Sequence, residues 1–70
     1  MNENNIFYGI VKTFDSFKGY GFITREKGKD VFFFYGEIIH DDKYLTAGDR
    51  VSFELKMMDK GPRAFAIRKI

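Results

Sequence analysis

The fold is decided by residues 18–23, which read Lys-Gly-Tyr-Gly-Phe-Ile. Successive side chains of an extended strand point to opposite faces, so Lys18, Tyr20 and Phe22 share one face. The other face carries only two glycines and Ile23. Because glycine has no side chain to bury, we infer that Ile23 faces the interior and that both rings face outward. These residues therefore predict a strand with aromatic rings on its exposed side.

A second stretch, residues 30–35, repeats this alternation and reads Asp-Val-Phe-Phe-Phe-Tyr. When Val31 is placed inward beside Ile23, Phe32 and Phe34 turn outward, and four rings share one sheet face. The ordinary fate of phenylalanine is burial, and a sandwich with both faces covered would hide these rings. A single antiparallel sheet of this size has only one covered face, which favours exposure. Periodicity alone leaves both interpretations open.

Three further stretches have strand character, because short apolar runs alternate with Gly or Asp clusters about every ten residues. The five predicted strands are Ile6 to Phe14, Lys18 to Arg25, Asp30 to Tyr35, Asp49 to Lys56 and Arg63 to Lys69. Short turns join the first three into an antiparallel meander. A longer connection, Gly36 to Gly48, carries Ile38 and Leu45, which we expect to anchor it against the barrel end. Five such strands predict an all-β, closed or nearly closed antiparallel barrel.

Composition limits the class of protein. A chain of 70 residues makes one domain at most, with a thin core that does not easily hide an aromatic content of 19%. At 44% hydrophobic residues the chain is too apolar for disorder, yet no apolar run is long enough to span a membrane. Cysteine is absent, and Met1 to Asn5 lack the features of a signal peptide. We therefore expect a soluble, cytoplasmic protein.

Charge is distributed unevenly around a net value of +2. Residues 12–29 carry five basic and two acidic groups, residues 56–70 carry five and one, and residues 30–54 are net −4. Two basic segments could present a stripe to phosphate, although solvated turn lysines are the commoner explanation. Charge alone therefore does not establish nucleic-acid binding.

The two ring-bearing stretches resemble the bacterial cold shock protein family, whose domain is the cold-shock form of the OB-fold. Residues 18–23 match that family's first nucleic-acid-binding motif, and residues 30–34 stand where its second motif, Asp-Val-Phe-Val-His, belongs. The resemblance continues in register over nearly the whole chain, including Gly9 to Phe14 and Lys60-Gly61-Pro62. It implies a single cold-shock domain over residues 1–70, built as a five-stranded antiparallel OB-fold barrel.

The first motif alone also occurs in RRM domains. Motif order and helix content exclude that alternative. An RRM would carry its other aromatic motif before residues 18–23 and would need two amphipathic helices, whereas no stretch of this chain keeps a helical period.

The resemblance implies a face that binds single-stranded RNA and DNA by base stacking, as in an RNA chaperone or a cold-shock-type regulator. Carried over position by position, the implied site residues are Lys12, Lys18, Tyr20, Phe22, Phe32, Phe34 and Tyr35, with Tyr44 in the long loop and Lys60 near the last turn. Lys60, and Arg63 three residues later, either contact phosphates or are simply solvated charges of the turn.

Four positions depart from the family pattern. Thr13 stands where tryptophan is usual and removes the largest stacking surface, so affinity should be lower than the pattern implies. Phe34 replaces the second motif's histidine, which keeps a ring but loses a polar edge. Phe17 and Phe65 replace a charged residue and an alanine, and either restore ring area or repack around the bulky Phe33.

Catalytic and metal sites are not indicated. His40 is the only histidine and stands in a polar loop, where a solvated side chain is the usual explanation. Ser16 and Ser52 lack the context of a serine nucleophile, and no Gly-Lys-Ser/Thr loop could cradle a nucleotide. We expect no enzyme, no cofactor, no small-molecule substrate and no membrane partner.

The alternative function is a protein interaction module whose exposed rings form a dimer or partner interface. A monomer and a strand-exchanged dimer are compatible with either function.

Overall fold

A computed structural model describes residues 6–39 and 43–70, and in it the chain forms five strands. They are β1 (Ile6–Asp15), β2 (Tyr20–Arg25), β3 (Val31–Phe34), β4 (Arg50–Met58) and β5 (Gly61–Lys69), and a 3-10 turn follows β3 at Tyr35–Glu37. All five predicted strands are present. Met1 to Asn5 and His40 to Asp42, including the loop histidine, lie outside the described residues.

The start of β2 is set by a turn. β2 begins at Tyr20 and not at the predicted Lys18, because residues 16–19 form a turn after Asp15. The Asp15 side chain accepts hydrogen bonds at Oδ1 from the backbone N–H groups of Phe17 (3.0 Å) and Lys18 (2.9 Å). These bonds reverse the chain and aim β2 back along β1.

The strands close into a barrel in the order β1, β2, β3, β5, β4. The predicted meander of β1, β2 and β3 is confirmed, and β4 pairs antiparallel with both β1 and β5. One detail is corrected: β3 and β5 run parallel and pair at Phe32 and Arg63. An odd number of strands cannot alternate in direction all the way round a closed ring, so a parallel pair is unavoidable. The five-stranded barrel is as predicted, but its sheet is mixed.

The core fills the barrel with side chains from every strand and from the long connection. The two predicted anchors, Ile38 and Leu45, are fully buried, and Ile38 forms a parallel bridge with Ile67 of β5. The buried hydrophobic residues are Val11, Ile23, Val31, Phe33, Ile38, Leu45, Val51, Phe53, Ala64 and Ile67.

Two bulges change the direction of side chains along the barrel. The β1–β2 register shifts between Val11 and Thr13, so that both Lys12 and Thr13 are exposed. A second shift lies in the β4–β5 ladder beside Ala66, which has a left-handed φ of 51°. The Ala66 N–H donates to Oε1 of Glu37 at 3.2 Å, which joins this bulge to the 3-10 turn.

Candidate nucleic-acid interface

Four aromatic side chains lie together on the outer surface of β2 and β3. The ladder between these strands sets two of the rings directly opposite the other two. Phe22 and Phe34 are 36% and 42% exposed, and the other two rings are half-buried. The predicted outward direction of the rings is confirmed. We call this set the four-ring face: Tyr20, Phe22, Phe32 and Phe34.

The inward side of the same strands explains why these rings face outward. Ile23, Val31 and Phe33 are fully buried on that side. Gly21 is buried beside them, and a Cβ atom added there would lie 2.8 Å from Cζ of Phe33 and closer still to the carbonyl oxygen of Thr13. No side chain fits at Gly21, because Phe33 and β1 already occupy the space.

Phe32 is the centre of the four-ring face. Its ring centroid lies 5.6 Å from the centroids of Tyr20 and Phe22 and 4.8 Å from that of Phe34. The contacts with Phe22 and Phe34 are edge-to-face, an arrangement that aromatic pairs favour. Since the rings touch one another, the face is a continuous apolar surface on which more than one base can stack.

Lys12 and Thr13 border the four-ring face on β1. Thr13 pairs directly with Phe22, so it lies next to the rings. The Lys12 ammonium reaches across β2 to form an ion pair with Asp30, with Nζ 2.9 Å from Oδ2. The Lys12 side chain is still 59% exposed, so solvent screens this pair and the ammonium stays accessible to a phosphate.

Three other predicted site residues, Lys18, Tyr35 and Tyr44, lie beside the four-ring face and not on it. They line a shallow depression next to the β1–β2 turn. Tyr35 and Tyr44 are 53% and 48% exposed, and Tyr44 meets Phe14 edge-to-face at 5.6 Å between centroids. The predicted site residues therefore do not form one surface. Four of them make up the four-ring face, and Lys18, Tyr35 and Tyr44 line the neighbouring depression.

Phe17 is 96% exposed in the β1–β2 turn. It lines both the depression that contains Tyr35 and a second depression that borders Phe22. Such an exposed ring has not repacked around Phe33, which stacks on Phe14 at 5.7 Å between centroids. Of the two explanations for this unusual phenylalanine, the structure favours added ring area.

The β4–β5 hairpin forms one wall of a groove, and three rings of the four-ring face, Phe22, Phe32 and Phe34, form the other. Residues 57–63 line the hairpin side, with Lys60 at its turn. Arg63 lies over Phe34, with its guanidinium carbon 4.5 Å from the ring centroid. Lys60 is predicted from the sequence, but the 71% exposed Met57 and the position of this hairpin beside the rings are not. Alternation within β2 and β3 cannot show which strand pairs with the far side of β3.

Within residues 6–39 and 43–70, no cluster of three or more histidine, cysteine, aspartate or glutamate side chains could hold a metal ion. The same ranges contain no helix with the length and apolar character needed to cross a bilayer. In this described part of the chain, no polar or charged residue is buried.

A closed five-stranded barrel with an exposed aromatic face belongs to the class of OB-fold nucleic-acid-binding domains. Residues 7–70 match the model of the family described as 'Cold-shock' DNA-binding domain, and the chain belongs to this family. The family membership predicted from the two motifs is confirmed. At the level of the family, the prediction of a nucleic-acid-binding protein is confirmed with it.

Similar proteins match almost the whole chain. Retron Se72 cold shock-like protein of Salmonella heidelberg is 45% identical over 64 residues, which are 89% of this chain and 96% of that protein. Cold shock protein CspC of Bacillus subtilis is 42% identical over 62 residues, 87% of this chain and 94% of that one. The solved structure of drosophila Unr CSD456 matches with a TM-score of 0.79 at 20% identity, over 93% of this chain and 26% of that one, which shows the shared fold.

Proposed function

We propose that this protein binds single-stranded RNA and DNA by stacking bases on the four-ring face. The observation that carries the proposal is the unbroken contact of four outward rings on β2 and β3. Every base offers a planar surface to such rings, and each stacked base contributes about 1–3 kcal/mol. Sequence preference should be weak, and the family resemblance implies a leaning toward pyrimidine-rich strands.

The proposed interface has a stacking centre and a charged border. The four-ring face takes the bases, and Tyr35 and Tyr44 extend the stacking surface beyond the β1–β2 turn. Three lysines at the border contact backbone phosphates. The full set is Lys12, Lys18, Tyr20, Phe22, Phe32, Phe34, Tyr35, Tyr44 and Lys60.

Duplex bases already stack on one another and offer no free plane to the rings. A protein that binds only unpaired bases shifts the equilibrium between paired and unpaired RNA toward the unpaired form. Weak RNA structure would therefore open without nucleotide hydrolysis. The proposed role is an RNA chaperone or cold-shock-type regulator that is not an enzyme and uses no cofactor or small-molecule substrate.

We further propose that residues 1–70 act as a single cold-shock domain in the cytoplasm, where transcripts are exposed. Fractionation of cells that produce the tagged chain, followed by ultraviolet crosslinking to RNA, tests location and partner together.

Fluorescence anisotropy with a labelled unstructured oligonucleotide and a matched duplex tests the stacking face. The unaltered protein should prefer the single strand. Phe22→Ala and Phe32→Ala each remove a stacking surface and should weaken single-strand binding by about 5- to 150-fold, which corresponds to about 1–3 kcal/mol. Circular dichroism checks that both variants remain folded.

Tyr8→Ala is the matched control, because Tyr8 is a 63% exposed ring that lines a separate groove with Arg25 and Arg50. Its removal should leave binding unchanged. Equal binding of duplex and single strand, or full affinity in Phe32→Ala, would overturn the proposal.

The four-ring face could instead be an interface for protein, since exposed apolar patches serve that purpose too. The highly exposed Phe17 and Met57 favour this second candidate. Sedimentation over a range of concentrations separates the two functions. Self-association that weakens on dilution, together with no response to oligonucleotide, would support a protein interface, whereas one species that binds oligonucleotide supports nucleic-acid binding.

A further inference from the structure

Lys56 and Arg63 stand directly opposite each other across the β4–β5 ladder. Like charges in this position repel and destabilise a sheet. The ring of Phe65 lies beside both on the outer surface of the strands. Nζ of Lys56 is 5.0 Å from the centroid of that ring, and the guanidinium carbon of Arg63 is 5.1 Å from it. One aromatic ring therefore holds two cations close together.

Neither cation has an acidic partner within the described ranges, 6–39 and 43–70. Glu54 stands opposite Phe65 in the ladder but forms no ion pair with Lys56 or Arg63. Nε of Arg63 is buried and has no hydrogen-bond acceptor. Since Arg63 is partly buried, solvent screens its charge less than that of a fully exposed side chain. Two cations that repel each other and have no acidic partner thus form a site suited to one anion.

This cationic pair is continuous with the four-ring face. The Arg63 guanidinium carbon also lies 4.5 Å from the centroid of the Phe34 ring, and β3 pairs with β5 at Phe32 and Arg63. A base stacked near Phe34 would therefore carry its backbone phosphate past Arg63. The positive charges of Lys56 and Arg63 would attract that negatively charged phosphate.

We propose that Lys56 and Arg63 bind one backbone phosphate of a single strand as the strand leaves the four-ring face across β5. This phosphate site presupposes the proposed function and extends it by a specific contact. Phe65 positions the two cations, and the phosphate neutralises the repulsion between them. Both cations bind the same phosphate, because they share one ring and one ladder position.

The salt dependence of binding tests this site because it counts neutralised phosphates. Affinity falls as salt rises, and each phosphate contacted on a single strand makes the slope of log affinity against log salt concentration more negative by about 0.7. The variants are Lys56→Gln, Arg63→Gln and the double variant, titrated into labelled oligothymidine at several sodium chloride concentrations. Each single variant should make the slope shallower by about 0.7, and the double variant by the same amount, since one phosphate is lost in every case.

Lys27→Gln is the matched control, because it removes the same charge from the exposed β2–β3 turn and should leave the slope unchanged. An unchanged slope in Lys56→Gln, or an equal change in the control, would overturn the phosphate site while leaving stacking intact. A double variant with twice the single effect would mean two phosphates and would overturn the shared site.

Two further readouts separate the possible failures. Thermal unfolding should show Lys56→Gln to be at least as stable as the unaltered protein, because a repulsion between like charges is removed. If the unaltered protein binds no oligothymidine at all, the proposed function itself fails, and not merely this contact.

Discussion

Thr13 is the residue that most reduces the stacking surface of the proposed interface. It is exposed, and it pairs directly with Phe22 next to the four rings. A threonine offers no plane to a base, whereas the aromatic side chain usual at this position of the family would enlarge the stacking surface. The sequence shows only that Thr13 departs from the family pattern, whereas the structure shows that Thr13 lies at the edge of the four-ring face.

Thr13→Trp should tighten the binding of oligothymidine by up to about 150-fold, because an added ring can stack one more base at about 1–3 kcal/mol. Fluorescence anisotropy measures the gain. Tyr8→Trp is the control, since it places an indole in a separate groove. No gain in Thr13→Trp would mean that the strand no longer passes this part of β1.

The contact between Phe34 and Arg63 is a feature of individual residues that the sequence alone could not reveal. The motif's histidine would have supplied a polar edge, and its replacement by Phe34 predicts a loss of hydrogen bonding. The guanidinium of Arg63 lies on the Phe34 ring and supplies N–H donors there. These residues are far apart in sequence and meet through the β3–β5 pairing, so no local pattern predicts their contact.

At the scale of the element, β2 and β3 were the most predictable part of the chain because their side-chain period of two is local. Gly21 marks the inward face of β2, and the buried Phe33 marks that of β3. The end of β3 was less predictable. Tyr35 belongs to the 3-10 turn and not to the strand, and its N–H donates to the carbonyl oxygen of Gly19 at 2.9 Å. That contact joins the β1–β2 turn to the 3-10 turn and leaves no signal in the alternation.

The β1–β2 turn depends on one carboxylate. Oδ1 of Asp15 accepts two backbone hydrogen bonds, and its carbonyl oxygen accepts a third from Gly19 at 2.7 Å. Asp15→Ala leaves two backbone donors without their carboxylate acceptor and should lower the free energy of unfolding by about 1–3 kcal/mol. Urea denaturation measures this loss. Ser16→Ala, at an exposed neighbouring position, should change stability little, and equal stability of the two variants would contradict the assigned role of the carboxylate.

At the scale of the whole molecule, the strand count decides part of the topology. Closure of five strands requires at least one parallel pair, which the prediction of a purely antiparallel barrel overlooked. Counting strands does not show which pair is parallel. The observed pair, β3 with β5, brings the β4–β5 hairpin beside the aromatic rings and so creates the groove between them.

Net charge sets the expected response of binding to salt. At +2 the protein can neutralise few phosphates, and the proposed contacts of Lys12, Lys18, Lys60 and the Lys56–Arg63 pair amount to about four. The slope of log affinity against log salt should therefore be no steeper than about −3. Anisotropy titrations over a range of sodium chloride concentrations give this slope. A much steeper fall would mean that phosphate contacts dominate and would contradict binding by stacking.

The edge-to-face contacts around Phe32 also bear on the speed of capture. Immobilising a flexible side chain at an interface costs about 0.5–1.5 kcal/mol, and here neighbouring rings already restrain one another before any ligand arrives. The surface is preorganised, so an arriving strand needs only to collide in a suitable orientation. Differences in affinity between strands should then arise mainly from how quickly each one dissociates.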